Sequence, residues 1–244
     1  MSEPTPTTTQ SSFICSVCGQ KSLLRCSKCL GTLYCGQECQ TKDWKVHKFQ
    51  CREAEMIKKQ YIEQGHRTVA EIDAEIESTK RMAEQGNAQA QFNLGLSYEK
   101  GLGVAVDRVE SVKWYKLAAE QGHEHAQYNL ACSYDAGEGV VADKNEAFKW
   151  YKSAAEKGDS QAQNSLGDAY FNGKGVSQNA TESVTWYRLA AEQGNAFGQF
   201  NLAMAYLHGD GAPVNKEEGV KWMKRAARNG VHEAILYMES YQSE

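Results

Sequence analysis

Along residues 83–226 one arrangement of apolar, small and polar positions returns four times, with a period of 36 residues and no insertion. Such a period predicts a solenoid of stacked units, each burying its apolar face against its neighbours. Within a unit, Ala90, Leu94 and Tyr98, with their counterparts Ala126, Leu130 and Tyr134, form an i, i+4, i+8 stripe that reads as the core face of a first helix. A Gly-x-Gly pair follows (Gly101 and Gly103, Gly137 and Gly139, Gly173 and Gly175, Gly209 and Gly211), which ends that helix and reverses the chain. The second helix opens at Asp107, Asp143, Asn179 or Asn215, with Glu110, Glu146, Glu182 or Glu218 three residues on, the pattern of a capping box. Trp114, Trp150, Trp186 and Trp222 read as its aromatic anchors, Ala118 with Ala119 and their equivalents as its close-approach surface, and Gly122, Gly158, Gly194 and Gly230 as its left-handed stops. A fifth copy holds one helix, so residues 227–244 are expected to cap the stack.

These signatures recur in register from Ala83 onward and resemble the Sel-one-like repeat, a relative of the tetratricopeptide repeat. The resemblance implies an all-α, right-handed superhelix of paired helices that serves as a protein-interaction scaffold. Each first helix carries a second, non-core stripe: Phe92, Asn93 and Leu96; Tyr128, Asn129 and Cys132; Asn164, Ser165 and Asp168; Phe200, Asn201 and Met204. By the tetratricopeptide analogy this stripe lines a concave groove. There the aromatics would bury side chains of a partner and Asn93, Asn129 and Asn201 would bind its backbone. The competing reading of the aromatics is packing against the next repeat.

The N-terminal part has a different logic. Seven of the eight cysteines lie between residues 15 and 51; an odd number cannot all pair as disulfides, and such crowding favours metal. Cys15 and Cys18, Cys26 and Cys29, Cys35 and Cys39, then His47 and Cys51 supply eight ligands, enough for two closed tetrahedral zinc sites. A segment of this length with so few large apolar groups cannot stabilise itself by burial, so the metal becomes most of its core. Four protein ligands per ion leave no open position for catalysis.

The ligand order, the Tyr34-Cys35 pair and the run CQTKDWKVHKFQC resemble the MYND zinc finger, placed here at residues 13–53. From that resemblance comes a cross-braced pairing: Cys15, Cys18, Cys35 and Cys39 on one zinc, Cys26, Cys29, His47 and Cys51 on the other. It also implies that Gln40 and Trp44 contact short proline-rich peptides while the strand around Leu33 pairs with the ligand. The alternative is that Trp44 roofs a zinc site, because on an ideal helix it lies close in angle to His47 and Cys51.

Residues 1–12, rich in Thr, Ser and Pro, are expected to be a disordered tail, and residues 54–82, with helical spacing interrupted at Gly65, a helical linker capping the repeats. No stretch has the length of a membrane span and the first residues lack a signal peptide's basic and apolar regions, so an intracellular protein in cytoplasm or nucleus is expected. The net charge of -4 divides unevenly: residues 15–60 hold nine Lys and Arg against four Asp and Glu. Counting seven thiolates and two zinc ions reduces that excess to about +2. The remaining basic face, with Lys21, Arg25, Lys28, Lys42, Lys45 and Lys48, gives the alternative function, a nucleic-acid-associated transcriptional regulator, little to work with. No phosphate loop, nucleophile elbow or carboxylate metal cluster stands out, and a catalytic methyltransferase domain would need more chain than the repeats leave. Cys132 and the histidines His66, His123, His125, His208 and His232 read as packed, surface or capping residues. The expected function is a non-enzymatic adaptor whose finger binds proline-rich motifs and whose solenoid docks a second protein.

Overall fold

The computed structural model describes residues 24–25, 33–34 and 69–242. By packing the chain divides into two compact units, residues 1–81 with 96–107, and residues 82–95 with 108–244. The expected tail at 1–12, all eight zinc-ligand positions, Gln40, Trp44 and the linker before residue 69 lie outside the described residues.

In the first unit two short strands, β1 (Leu24–Arg25) and β2 (Leu33–Tyr34), pair antiparallel with Leu24 opposite Tyr34 and Arg25 opposite Leu33. Helix α1 spans Val69–Glu84. The repeats then alternate first and second helices: α2 (Ala88–Lys100), α3 (Arg108–Glu120), α4 (Glu124–Ala136), α5 (Lys144–Glu156), α6 (Ser160–Asn172), α7 (Ala180–Glu192), α8 (Ala196–His208) and α9 (Lys216–Arg228). The last helix, α10 (His232–Gln242), has no second helix after it among the described residues. Within the second unit each helix from α4 onward packs on its neighbours in sequence, and the first helices α6 and α8 also touch. This is the all-helical repeat solenoid that the 36-residue period predicts.

The first-helix stripe is core at its alanine and leucine positions, where Leu94, Leu130, Leu166 and Leu202 are fully buried beside Ala90, Ala126 and Ala162, whereas Tyr98 and Tyr134, expected on the same stripe, are only half-buried. The second helices depart from expectation. Their best buried residue follows the tryptophan, being Tyr115, Tyr151, Tyr187 or Met223, whereas Trp114, Trp150 and Trp186 are half-buried and only Trp222 is buried. Neighbouring residues on a helix differ by about 100° in direction. The tyrosine therefore takes the inward direction, and Trp150 and Trp186 pack on the edge of the cluster formed by Tyr151, Ala155 and Leu166. A small residue opposite makes the room: a Cβ on Gly167 would sit 2.5 Å from the Tyr187 ring.

The capping box is corrected in one half. Asp143, Asn179 and Asn215 do cap, accepting from the backbone N–H of Glu146, Glu182 and Glu218 at 3.1 Å. The glutamates do not reach back, because each cap's own N–H already donates to a carbonyl of the preceding helix, of Tyr134, Tyr170 or Tyr206. Glu146 and Glu218 are thereby released to pair with Lys149 and Lys221 one turn on.

A buried polar ladder joins the helices within each layer. Gln91, Gln127, Gln163 and Gln199 are buried, and each donates its amide nitrogen to the carbonyl of Ala83, Ala119, Ala155 or Ala191 at 3.0 to 3.3 Å. Three of their amide oxygens accept in turn from Gln121, Gln193 or Asn229. The second repeat places Lys157 at that donor position, where its ammonium bonds the Gly122 carbonyl instead, and Gln127 Oε1 has no partner within the protein. A buried acceptor without a donor costs about 1–3 kcal/mol. Lys157→Gln is therefore expected to stabilise the chain by roughly 1 kcal/mol. An unchanged or lower denaturation midpoint would count against this account.

Candidate functional site

The eight donors expected from the sequence, seven thiols and one imidazole, are soft to borderline groups that suit zinc better than the oxygen-seeking cations magnesium and calcium. Among the described residues no group of three His, Cys, Asp or Glu could hold a metal ion. Leu33 lies on β2, opposite Arg25, and the β1–β2 pair is the only sheet among the described residues.

On the first helices, the non-core stripe is half-buried and more self-contained than a row of presented groups. Phe92 stacks on His123 with ring centroids 4.6 Å apart, and Tyr128 lies 5.9 Å from Tyr151. Phe92 thus packs against the cap of the next repeat's first helix, as the competing reading expects, and Tyr128 packs against the second helix of its own repeat. Asn93 is exposed, and its carbonyl oxygen accepts from Gln89 at 3.0 Å; Asn129 is half-buried. Asn201 is half-buried, and its amide nitrogen donates to Asn164 Oδ1 at 3.0 Å and Asp168 Oδ1 at 3.2 Å. That carboxylate also accepts from the Tyr187 hydroxyl at 2.6 Å.

The Asp168 position therefore works in pairs with the second-helix tyrosine. In the preceding repeat the Tyr151 hydroxyl donates to Cys132 Sγ at 3.4 Å; in the fourth, Met223 replaces the tyrosine and Met204 stands at the matching position. Desolvation pushes the Asp168 carboxyl above the usual range, opposed by the Tyr187 hydrogen bond and the Lys174 charge. Desolvation, then the neighbouring Asp168, raises the Tyr187 phenol, and desolvation with Cys132 does the same to Tyr151, so both hydroxyls stay protonated donors. Phe148, Tyr151, Ser165, Asp168 and Lys174 line a small cleft of about 80 Å³ between the second and third repeats. At its edge the Tyr187 hydroxyl and the Asp168 carboxylate hold each other. Sequence spacing alone hid the tyrosine partners, although Tyr recurring directly after each of the first three tryptophans was the available signal.

The first-helix caps form a second ladder. His123 Nδ1 accepts from the Ala126 N–H at 3.3 Å while its Nε2 faces Gln89 Oε1 at 3.1 Å, and His125 Nδ1 pairs with Asp159 Oδ2 at 3.0 Å. His123 thus caps, as expected of a surface or capping residue. Burial, followed by the charge of His125, lowers its affinity for a proton. Because the folded value lies below the unfolded one, the unfolded chain binds more protons, and stability present above about pH 6.5 falls as pH drops below it. Asn87 and Asn195 cap the equivalent helices without titrating. Denaturation midpoints of wild type and His123→Asn are therefore expected to match near neutrality and to separate, wild type lower, as pH falls toward about 5.5. Parallel pH profiles would refute it.

Comparison with known proteins places both halves. The family model of the MYND finger matches residues 15–51, and that of the Sel1 repeat matches residues 88–123, 124–159, 160–195 and 196–231. Tudor domain-containing protein 1 of Oryzias latipes is 40% identical over 50 residues, which are 20% of this chain and 4% of that relative. The other curated relatives share similarly short segments, the chain covering 6% of one and 10% of another. Among solved structures, a Sel1 repeat protein from Oxalobacter formigenes is 40% identical with a TM-score of 0.63, covering 66% of this chain and 64% of that one. A protective antigen present in uropathogenic Escherichia coli strains, displaying an SLR fold, is 41% identical with a TM-score of 0.65, covering 68% of this chain and 36% of that one.

Proposed function

Since this chain belongs to the Sel1 repeat family and carries a MYND finger ahead of the repeats, we propose that it is a non-catalytic adaptor joining two protein ligands. Both modules are protein-interaction modules, and the Sel1 solenoid is a non-catalytic scaffold. The observation that carries the reading is their pairing in one chain, a zinc-binding finger and four repeats in unbroken register. The finger binds an extended proline-containing apolar peptide at Gln40 and Trp44, with the edge of β2 at Leu33 pairing with the peptide backbone. The solenoid docks the second protein along its first-helix stripe. There Asn93 and Asn129 supply amides, and Asn201 acts together with Asn164 and Asp168 as a polar patch.

Cys15, Cys18, Cys35 and Cys39 hold one zinc and Cys26, Cys29, His47 and Cys51 the other. That division follows the cross-braced ligand order of the MYND finger, whose family model matches residues 15–51. When bound, the ions supply no reaction, only the crosslinks that hold the finger's backbone. No described helix is long and apolar enough to cross a membrane, and an intracellular place, where thiols stay reduced for metal, fits the cysteine usage.

Titration of a labelled proline-rich peptide tests the finger. Trp44→Ala is expected to remove most binding with zinc content intact, and Gln40→Ala to weaken it by roughly 1 kcal/mol, the scale of one hydrogen bond. Unchanged affinity in Trp44→Ala would return that ring to the roof of a zinc site. Tight binding to duplex DNA that collapses with salt would favour the nucleic-acid alternative instead.

A further inference from the structure

The second helices of the four repeats share a fold but not a surface. Positions i, i+3, i+4 and i+7 of each helix fall on one outer stripe. In α3 these are Lys113, Lys116, Leu117 and Glu120; in α5, Lys149, Lys152, Ser153 and Glu156; in α7, Thr185, Arg188, Leu189 and Glu192. Their formal charges are +1, +1 and 0, and all three stripes close on glutamate. In α9 the same positions are Lys221, Lys224, Arg225 and Arg228, all exposed, a charge of +4 on a chain whose net charge is -4. Lys221 is paired with Glu218 at 2.9 Å, while among the described residues no carboxylate pairs with Lys224, Arg225 or Arg228.

The fold does not require this. Three second helices of the same solenoid carry a neutral or nearly neutral stripe, and cations three and four residues apart repel, costing the helix a few tenths of a kcal/mol per pair. Attraction of Arg228 to the helix C-terminus explains one charge at most, and the other three repeats place Glu120, Glu156 and Glu192 at that very position. The Arg225 guanidinium is held 4.5 Å over the Trp222 ring. A planar fork fixed by stacking is ready for a bidentate carboxylate and loses little further side-chain freedom on meeting one.

We propose that the outer stripe of α9 is a docking surface for an acidic segment of a partner protein, separate from the first-helix groove. The eight residues from Lys221 to Arg228 span about 10 Å of helix, long enough for carboxylates spaced three and four residues apart on a partner helix. Duplex DNA offers a poorer fit. Neutralising the six to ten or so phosphates typical of tight binding needs a longer basic track, and Glu217 and Glu218 interrupt this one on the same helix.

The decisive variant copies a stripe that the fold already carries: Arg225→Leu with Arg228→Glu gives α9 the Leu and Glu that α3 and α7 hold at those positions. A labelled glutamate-rich helical peptide, titrated by fluorescence anisotropy into the zinc-loaded chain, is expected to bind wild type and to bind this variant at least roughly tenfold more weakly, with helix content unchanged. Lys116→Gln with Lys152→Gln, on the neighbouring stripes, is expected to leave binding within about twofold, a change small beside the loss of a charged contact. Equal peptide affinity of wild type and the Leu/Glu variant overturns the proposal, as does tighter binding of duplex DNA or anionic phosphatidylserine vesicles than of the peptide.

Discussion

The purified chain is expected to contain two zinc ions, and stripping them is expected to unfold the finger while the repeats keep their helix. The magnitude follows from the size of the segment. Residues 13–53 offer few large apolar side chains, so their folding free energy is close to the metal-binding free energy, about 10–16 kcal/mol for a structural zinc in finger peptides near neutral pH. Hydrophobic burial in so short a segment cannot replace that. On the proposed pairing Cys26→Ser and His47→Ala each remove one ligand of the same ion, and each is expected to lower zinc content and to expose the segment to protease. Far-ultraviolet circular dichroism is expected to change little, because the ten described helices all lie from Val69 onward. Elemental analysis near one zinc per chain would eliminate one of the two sites. Loss of the repeat helices together with the metal would show that the finger and the repeats fold as one cooperative unit.

What the sequence made legible was whatever depends on local spacing. The 36-residue period, the glycine stops, the caps at Asp143, Asn179 and Asn215 and the Leu130-type core positions are each set by a residue and its neighbours within a turn or two. What stayed hidden depends on partners farther off. The reciprocal half of the capping box failed because the N–H of Asp143 finds Tyr134 nine residues back. Residue size pointed to Trp150 as the anchor, but the direction of each side chain, which decides between Trp150 and Tyr151, is set by packing between helices. Gln163 recurs in every repeat as regularly as the core alanines, yet its purpose, bonding Ala155 and Gln193 at once, appears only when the helices are laid together. The candidate groove follows the same division. Its stripe was legible as a stripe, whereas the commitment of Asn201 to Asn164 and Asp168 spans adjacent repeats.

Two glycines of similar backbone conformation are expected to respond very differently to the same substitution. Gly158 ends α5 at φ +100° and a Cβ there would meet nothing within 4 Å, so Gly158→Ala pays only for a left-handed alanine, about 1 kcal/mol. Gly175, the second glycine of its Gly-x-Gly turn, has φ +70°, and a Cβ there would lie 2.0 Å from the Lys144 carbonyl oxygen and 3.0 Å from the Asn145 nitrogen. Those atoms belong to the first turn of α5, the second helix of the preceding repeat, so relief requires backbone to move and not a rotamer to turn. Gly139 against Arg108 and Gly211 against Ala180 repeat the contact at 2.1 Å, so the same close backbone approach recurs between successive repeats in the second unit. Overpacking of this kind adds typically 1–3 kcal/mol to the conformational penalty, so Gly175→Ala is expected to cost about 3 kcal/mol or more. Because nearest-neighbour interfaces carry a solenoid's cooperativity, the loss should also broaden the denaturation transition as the repeats on either side of the turn begin to melt separately. Chemical denaturation of the two variants side by side provides the measurement. Equal destabilisation by Gly158→Ala and Gly175→Ala would mean that backbone conformation alone selects glycine at both positions and that the repeats have slack at their interface.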